Sequence, residues 1–144
     1  MPISRSLEIS ASGLTAERVR MDVISNNLAN VNTTRTTEGG PYRRRHVVFE
    51  AAGERPGFAR ALRSASGGSG VRVAAVAPDR GDFKRVRDPG HPDAGPDGFV
   101  LLPNIEPVME MVDLITATRA YEAGVNAIGA AKQMQQKALE IGKG

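Results

Sequence analysis

The stretch SNNLANVNTTRT, residues 25–36, stands where a long apolar periodicity stops, and it decides how the chain divides. It holds four asparagines and three threonines. Asn and Thr side chains hydrogen-bond nearby backbone groups, so they end helices and shape the turn that follows, and Asn also tolerates left-handed backbone geometry. The sequence therefore predicts a helix that ends here and leads into a different kind of structure.

In the first segment, residues 1–32, the apolar residues are spaced as on one face of a helix. Its apolar side chains recur in steps of three, four and seven from Ile3 to Val31. The heptad spacing within this set favours a narrow seam against a second helix. A helix of this extent would be a rod of about 40 Å. The candidate packing residues are Leu7, Leu14, Met21, Ile24, Leu28 and Val31.

The central segment, residues 33–103, changes composition sharply, because it holds eleven of the sixteen glycines and seven of the nine prolines. Gly and Pro are typical of turns and loops. Short valine-rich runs between them predict small β-hairpins, and the stretch 53–70 is predicted to be a mobile loop. The four predicted strands are RRHVVFEA (44–51), VRVAAVA (71–77), DFKRVR (82–87) and GFVLLP (98–103).

The last segment, residues 104–144, is predicted to be one long helix with Asn104 as its N-cap, Pro107 in its first turn and Gly142 as its stop. Its apolar residues occupy more than one face. The first helix can cover only one of them, so the other requires different chains. The candidate packing and subunit-interface residues are Met111, Leu114, Ile115, Tyr121, Val125, Ile128 and Leu139.

These segments predict a mainly α fold in which long N- and C-terminal helices pair as a helical hairpin or coiled coil around a small irregular centre with β-hairpins. The 144 residues include no cysteine, so disulfide and thiol chemistry are excluded. No apolar run approaches the length of a transmembrane helix, and the N-terminus lacks the apolar segment of a cleavable signal peptide.

Several motifs resemble a known family. The stretch SGLTAERVRMDVISNNLANVNTTRT (12–36) resembles the N-terminal region of bacterial flagellar axial proteins. EGGPYRRR (38–45), residues 87–134 and the closing KALEIG (137–142) are similar to one group of them, the FlgC family of proximal rod proteins. The resemblance covers both predicted helices and is weakest from about 53 to 71. The residues that carry its motif and turn are Ala29, Asn30, Asn32, Thr33, Gly39, Gly40, Pro41 and Tyr42.

One departure from the family lies in the last helix, where Gly124 and Gly129 stand at positions that carry larger residues in similar proteins. Each should cost about 0.5–1 kcal/mol relative to Ala in a helix interior. Two explanations remain open: the glycines let a neighbouring helix approach closely, or they simply weaken that part of the helix.

The resemblance implies a structural subunit rather than an enzyme, with no cofactor and no metal. Its terminal helices would polymerise into the hollow rod that crosses the periplasm in the flagellar basal body, transmits torque and serves as an export channel. The implied partners are copies of itself, neighbouring proximal and distal rod proteins and the flagellar type III export apparatus, with no nucleic acid and no membrane insertion. Export would proceed without a cleaved signal peptide.

The sequence gives little support for a metal site. Asp88, His91, Asp93 and Asp97 could ligate a divalent ion, but the prolines and glycines among them favour turns. Two competing functions are a cytoplasmic coiled-coil adaptor and a weakly basic nucleic-acid-binding protein. A coiled-coil adaptor would have no need of the Gly-Gly-Pro-Tyr turn. A nucleic-acid-binding protein would need a helix lined with Arg and Lys, which this sequence lacks.

The run Arg43, Arg44 and Arg45 allows two interpretations. Three consecutive arginines could bind phosphate or anionic lipid. Beside a predicted strand they are more typical of a solvated edge or of a salt-bridged contact with a neighbouring subunit, which is the interpretation that we favour.

Overall fold

The computed structural model describes residues 2–52 and 70–142, with side chains from residue 4 onward. Two antiparallel hairpins lie between two long helices in the order of the chain, as the sequence predicts. The predicted loop 53–70 lies outside the described residues except for Gly70. The elements in chain order are α1 (Pro2–Ala29), β1 (Arg45–Ala51), β2 (Val71–Pro78), β3 (Lys84–Arg87), β4 (Phe99–Leu102) and α2 (Pro107–Ile141).

The two helices pack against each other in antiparallel directions. The side chain of Asn27, near the end of α1, lies 3.0 Å from Glu110 in the first turn of α2. Further along, Thr118 Oγ1 lies 3.7 Å from the sulfur of Met21. Small side chains are buried along both helices, which lets the two backbones come close. They are Ala16 in α1 and Ala117 and Ala131 in α2.

The first hairpin, β1–β2, packs on α1. Its register runs from Arg45↔Pro78 to Ala51↔Val71, with an irregularity between Val48 and Phe49. Ser12 of α1 fixes the start of β2, because its Oγ accepts the Val71 N–H at 3.1 Å and donates to the Ile9 carbonyl at 2.7 Å. The hairpin is thereby attached along the side of the helix.

The second hairpin, β3–β4, pairs Lys84 with Leu102 and Arg87 with Phe99. It lies at the start of α2, where Val100 and Ile105 are buried. The Lys84 ammonium donates to the Ile105 carbonyl at 2.7 Å and to a carboxylate oxygen of Glu106 at 2.9 Å. These contacts connect the strand pair to the beginning of the last helix.

Two predicted helix boundaries need correction. The N-cap prediction for Asn104 is wrong, because α2 begins at Pro107 and Glu106 occupies the cap position without a side-chain cap bond. The side chain of Asn104 instead bonds to backbone groups that are distant in the sequence. It accepts the Arg44 N–H at 2.9 Å and donates to the Gly81 carbonyl at 3.3 Å. α1 ends at Ala29, two residues before Val31. Gly142 is confirmed as the C-cap of α2.

Within residues 2–52 and 70–142, no helix combines the length and apolar character that crossing a membrane would require.

Candidate functional site

The asparagine-rich end of α1 does two different things. Asn26 and Asn30 bond locally, since each side-chain amide donates to the backbone carbonyl four residues earlier, at 2.9 Å. This confirms the prediction that the amides shape the end of the helix. None of these asparagines uses the left-handed backbone that Asn tolerates, because all described residues with positive φ are glycines.

Asn27 behaves differently, because it is fully buried. Its Oδ1 accepts the Arg45 N–H at 3.0 Å, and its Nδ2 donates to the Arg45 carbonyl at 2.8 Å, so one amide pairs with both backbone groups at the start of β1. Nδ2 also donates to Glu110 Oε2 at 3.0 Å, and the Tyr42 hydroxyl donates to Oδ1 at 3.3 Å. Both amide donors and both acceptor lone pairs of Asn27 are used.

Arg44 extends this network to the other end of the chain. Its Nε donates to Glu110 Oε1 at 2.5 Å, and its terminal nitrogens lie 3.5 Å from Asp79 and 3.4 Å from Asp113. Glu110 is only 1% exposed. We call Asn27, Arg44, Asn104 and Glu110 the polar junction. Through it α1, the start of β1, the segment before α2 and α2 itself meet at one point.

Charge and burial act against each other at Arg44. Burial works to lower the pKa of its guanidinium, but the hydrogen bond and charge of Glu110, with the charges of Asp79 and Asp113, outweigh burial and raise it. The pKa of Asp79 is lowered, first by the hydrogen bond from the Gly81 N–H and also by Arg44. The carboxylates around Arg44 therefore favour its charged form.

These contacts correct the interpretation of the arginine run. Arg43 donates to the carbonyls of Asp79 and Gly81, at 2.9 and 2.8 Å, and stacks over the ring of Phe83 at 4.2 Å. Arg43 and Arg44 are thus engaged within the chain rather than on a solvated edge. The side chain of Arg45 is exposed.

The Gly-Gly-Pro-Tyr turn brings Tyr42 back to the junction. Gly39 and Gly40 both have left-handed backbone, with φ of 87° and 77°. An L side chain at either position would be strained. The Thr36 N–H donates to the Gly40 carbonyl at 2.9 Å, and the Tyr42 N–H donates to the Thr33 carbonyl at 2.9 Å. The turn folds the chain back so that the Tyr42 hydroxyl reaches Asn27.

The candidate metal ligands are used in turns and ion pairs. Asp88 Oδ1 accepts the Gly90 N–H at 3.2 Å, and Asp97 pairs with Arg85 at 2.6 Å. Asp93 accepts the Thr34 hydroxyl at 2.8 Å and pairs with Arg35. Across residues 2–52 and 70–142 no three His, Asp or Glu side chains are grouped so that they could hold a metal ion. The turn interpretation of residues 88–98 is confirmed.

Acid should destabilise the chain through the carboxylates of Asp79 and Asp93. The pKa of Asp93 is lowered, first by the Thr34 hydrogen bond and then by Arg35, and that of Asp79 is lowered as described above. A lowered folded-state pKa contributes stability above the unfolded pKa of about 3.9, and this contribution is lost as pH falls through the folded pKa. We expect Tm to fall progressively below about pH 4.

The measurement is Tm against pH for the wild type and for Asp93→Asn, with Asp22→Asn, an exposed residue of α1, as the control. Asp93→Asn should have a lower Tm at pH 7 and a flatter acid limb, whereas Asp22→Asn should follow the wild-type curve. An acid limb identical in all three chains would contradict the assignment to Asp93.

The packing residues predicted for the first segment differ in burial. Ile24 is buried at 5% exposure, and Leu7, Leu14, Met21, Leu28 and Val31, the last of which follows the end of α1, are half-buried. In α2 the predicted residues divide into two groups. Leu114, Tyr121 and Ile128 are half-buried and lie three or four residues from the buried Ala117 or Ala131. The exposed group consists of Met111, Ile115, Val125 and Leu139.

One exposed set on α2 forms a continuous apolar surface, which we call the α2 stripe: Val108, Met111, Val112 and Ile115. Their exposed fractions are 65%, 54%, 51% and 55%. They follow the i, i+3, i+4, i+7 spacing of one helix face. At 3.6 residues per turn, the centre of this face lies about 170° around the helix from Ala117. The stripe therefore faces away from α1.

The two unusual glycines of α2 have different surroundings. A Cβ added at Gly124 would lie 2.7 Å from Leu14 Cδ2, whereas one added at Gly129 would meet nothing within 4 Å. Gly124 therefore fits the explanation of close helix approach. Within this chain Gly129 only weakens the helix.

Alanine at these two positions makes a matched pair. Gly129→Ala is expected to raise the free energy of unfolding by about 0.5–1 kcal/mol, because helix propensity improves without a clash. Gly124→Ala gains the same propensity but crowds the end of the half-buried Leu14 side chain, which must shift. It should therefore be less stable than Gly129→Ala by about 1 kcal/mol, the low end of the usual cost of overpacking. Chemical denaturation of the two purified variants makes the comparison. Equal stability of both would show that Gly124 is not a packing position.

Comparison with known proteins finds two families that match different parts of the chain. The family described as "Flagella basal body rod protein" matches residues 7–35, and the one described as "Flagellar basal body rod FlgEFG protein C-terminal" matches residues 97–141. The first match covers most of α1 and the turn after it, and the second covers β4 and α2.

Relatives of similar length match the whole chain. A protein of Bacillus subtilis (strain 168) is 49% identical over an alignment of 152 positions, which covers 99% of this chain and 100% of the relative. One of Borreliella burgdorferi is 43% identical over 100% of both chains, and one of Escherichia coli O157:H7 is 36% identical over 99% of this chain and 100% of its own. All three are named flagellar basal-body rod protein FlgC. At this identity and coverage, the chain belongs to the FlgC family of flagellar basal-body rod proteins.

Proposed function

We propose that this chain is a structural subunit of the proximal rod of the flagellar basal body, where the rod spans the periplasm. Its terminal helices polymerise with copies of itself and with neighbouring proximal and distal rod proteins into a hollow shaft that carries torque and serves as an export channel. The subunit reaches the rod through the flagellar type III export apparatus, without a cleaved signal peptide. It has no catalytic role in this function.

The observation that carries the proposal is the α2 stripe. It presents four large apolar side chains on the face opposite α1, and none of the other described elements covers them. Contiguous exposed apolar surface marks interaction sites. Burying it is worth about 25 cal/mol per Å², and a repeating assembly gains this at every subunit.

The spacing of the stripe indicates what covers it. Apolar residues at i, i+3, i+4 and i+7 fit into the groove of another helix. We propose that a helix of a neighbouring rod subunit lies on the stripe and extends the α1–α2 pair into a coiled-coil-like layer. The other exposed candidates, Val125 and Leu139, are 47% and 67% exposed and would contact further neighbours.

The polar junction has a separate role in this proposal. Residues 1–32 and 104–144 form the axial part, and residues 33–103 form the central part. The junction joins them through an ion pair to the buried Glu110 and through the buried amide of Asn27. Buried polar groups fix one geometry, because displaced partners would be left unsatisfied. We propose that the junction holds the central part at a defined angle while the rod rotates.

The test uses a strain whose own gene is deleted and which carries variants of this chain. Ile115→Glu places a charge in the stripe and should abolish motility and complete basal bodies, because a buried unpaired carboxylate opposes assembly. The Tm of the purified variant should stay close to the wild-type value, since Ile115 is 55% exposed. Swimming assays, electron microscopy of basal bodies and thermal denaturation are the readouts.

The matched control is Met109→Glu, which makes a similar change at a residue of the same helix that is 58% exposed but lies outside the stripe. This strain should still swim. An Ile115→Glu strain with complete basal bodies would refute the stripe as an assembly contact. A motile deletion strain with complete basal bodies would refute the rod function itself.

A further inference from the structure

Methionine is the only sulfur-containing residue type of this chain, since it has five methionines and no cysteine. Three methionines of α2 are exposed: Met109 at 58%, Met111 at 54% and Met134 at 58%. Met21 is half-buried between the helices, where its sulfur lies 3.7 Å from Thr118 Oγ1. Oxidation of methionine follows exposure, so these residues should differ in reactivity.

Met111 differs from the other two exposed methionines in its position, because it belongs to the α2 stripe. Val108 and Ile115 lie one turn before and after it on the same face. Met109 and Met134 lie outside this face. A polar group at Met111 would interrupt an otherwise apolar contact surface, whereas the same group at Met109 would leave that surface intact.

We propose that Met111 is an oxidation-sensitive modification site of the unassembled subunit, and that its sulfoxide prevents the stripe from packing in the rod. The inference rests on the proposed function. The oxidant is a hydroperoxide: the thioether sulfur attacks one peroxide oxygen and the O–O bond breaks. The sulfur is oxidised to a sulfoxide, and the peroxide is reduced to water or an alcohol. The product is polar where the stripe is apolar.

The consequence is a selection step before assembly. A subunit oxidised at Met111 would be excluded, whereas one oxidised only at Met109 would be incorporated. Once the stripe is packed against a neighbour, Met111 is shielded from the oxidant. Sulfoxide reductases reverse the reaction, so an excluded subunit can be repaired while it is still unassembled.

The first experiment measures reactivity on the purified chain with hydrogen peroxide, using peptide mass spectrometry. Met109, Met111 and Met134 should each be oxidised at least about fivefold faster than Met21, in line with their exposure. Oxidation of Met21 as fast as Met111 would overturn the exposure argument.

The second experiment compares two pools in cells that lack methionine sulfoxide reductases and receive a low dose of peroxide. Sulfoxide at Met111 should be depleted about tenfold in purified basal bodies relative to the unassembled chain, as expected for loss of one buried interface contact. Sulfoxide at Met109 should be equally abundant in both pools. Equal abundance of the Met111 sulfoxide in both pools would refute the proposal.

A third experiment separates this inference from the function on which it rests. Met111→Gln imitates the polarity of the sulfoxide without any oxidant, and Met109→Gln is its control. We expect about tenfold fewer complete basal bodies with Met111→Gln only. If Ile115→Glu blocks assembly but Met111→Gln does not, the oxidation site is wrong and the proposed function stands. If both variants assemble normally, the proposed role of the stripe is wrong as well.

Discussion

Replacing Asn27 with alanine is expected to lower the free energy of unfolding by about 2–4 kcal/mol, although it removes only one uncharged side chain. Asn27 is fully buried and bonds to the N–H and the carbonyl of Arg45 and to Glu110. Alanine would leave these groups unsatisfied in a place from which water is excluded. Each unsatisfied buried group costs about 1–3 kcal/mol, and partial relaxation keeps the total below the sum.

Two further variants define the cause. Asn26→Ala removes an exposed neighbour whose amide bonds only within its own helix, and it should cost less than about 0.5 kcal/mol. Asn27→Asp keeps the shape and both acceptor contacts, but it loses the two donors and faces Glu110 with a like charge. It should therefore be at least as damaging as alanine. Chemical denaturation measures all three, and an Asn27→Asp variant as stable as the wild type would contradict the hydrogen-bond assignment.

Local patterns were sufficient to predict the elements of the fold. Helical spacing from Ile3 to Val31 and valine-rich runs between turn residues predicted α1 and all four described strands, with ends within about two residues. These signals are local because a helix or strand exposes its buried face at a fixed period. The boundary that failed, the N-cap at Asn104, depended on a contact with Arg44, which lies 60 residues earlier in the chain.

The polar junction could not be predicted for the same reason. Arg44 and Glu110 are separated by 66 residues, and Asn27 and Glu110 by 83. In the sequence, Asn27 is one of four similar amides, and Glu110 is one of several acidic residues near a helix start. One signal was available: Asn27 lies three residues after Ile24, on the buried side of α1.

Apart from Gly124, the residues of the close helix contact were missed, because they are small. A search for large apolar side chains finds Leu7, Leu14 and Met21, which are only half-buried, and passes over Ala16 and Ala117, which are 3% and 0% exposed. Where the two helix backbones come close, the buried small residues are alanines.

Arg44→Met is expected to have the largest effect on stability, about 3–5 kcal/mol, because it leaves Glu110 buried without its cation. Glu110 is 1% exposed and Arg44 Nε donates to it at 2.5 Å. Methionine keeps most of the apolar length of the arginine stem, so the loss reports the charge rather than a cavity. Arg45→Met is the neighbouring control: its side chain is exposed, and the change should cost less than about 0.5 kcal/mol.

A second-site change identifies the buried carboxylate as the source of the loss. In the double variant Arg44→Met/Glu110→Gln, the charge is removed while the amide oxygen of the new side chain can still accept from Asn27. The double variant should recover at least about half of the stability that Arg44→Met loses, because the main cost of a broken buried pair is the uncompensated charge. Chemical denaturation of the four chains of this cycle gives the coupling energy. If the losses were simply additive, Arg44 would stabilise the junction through its other contacts, those with Asp79 and Asp113, and the ion pair with Glu110 would not be the bond that joins the two ends of the chain.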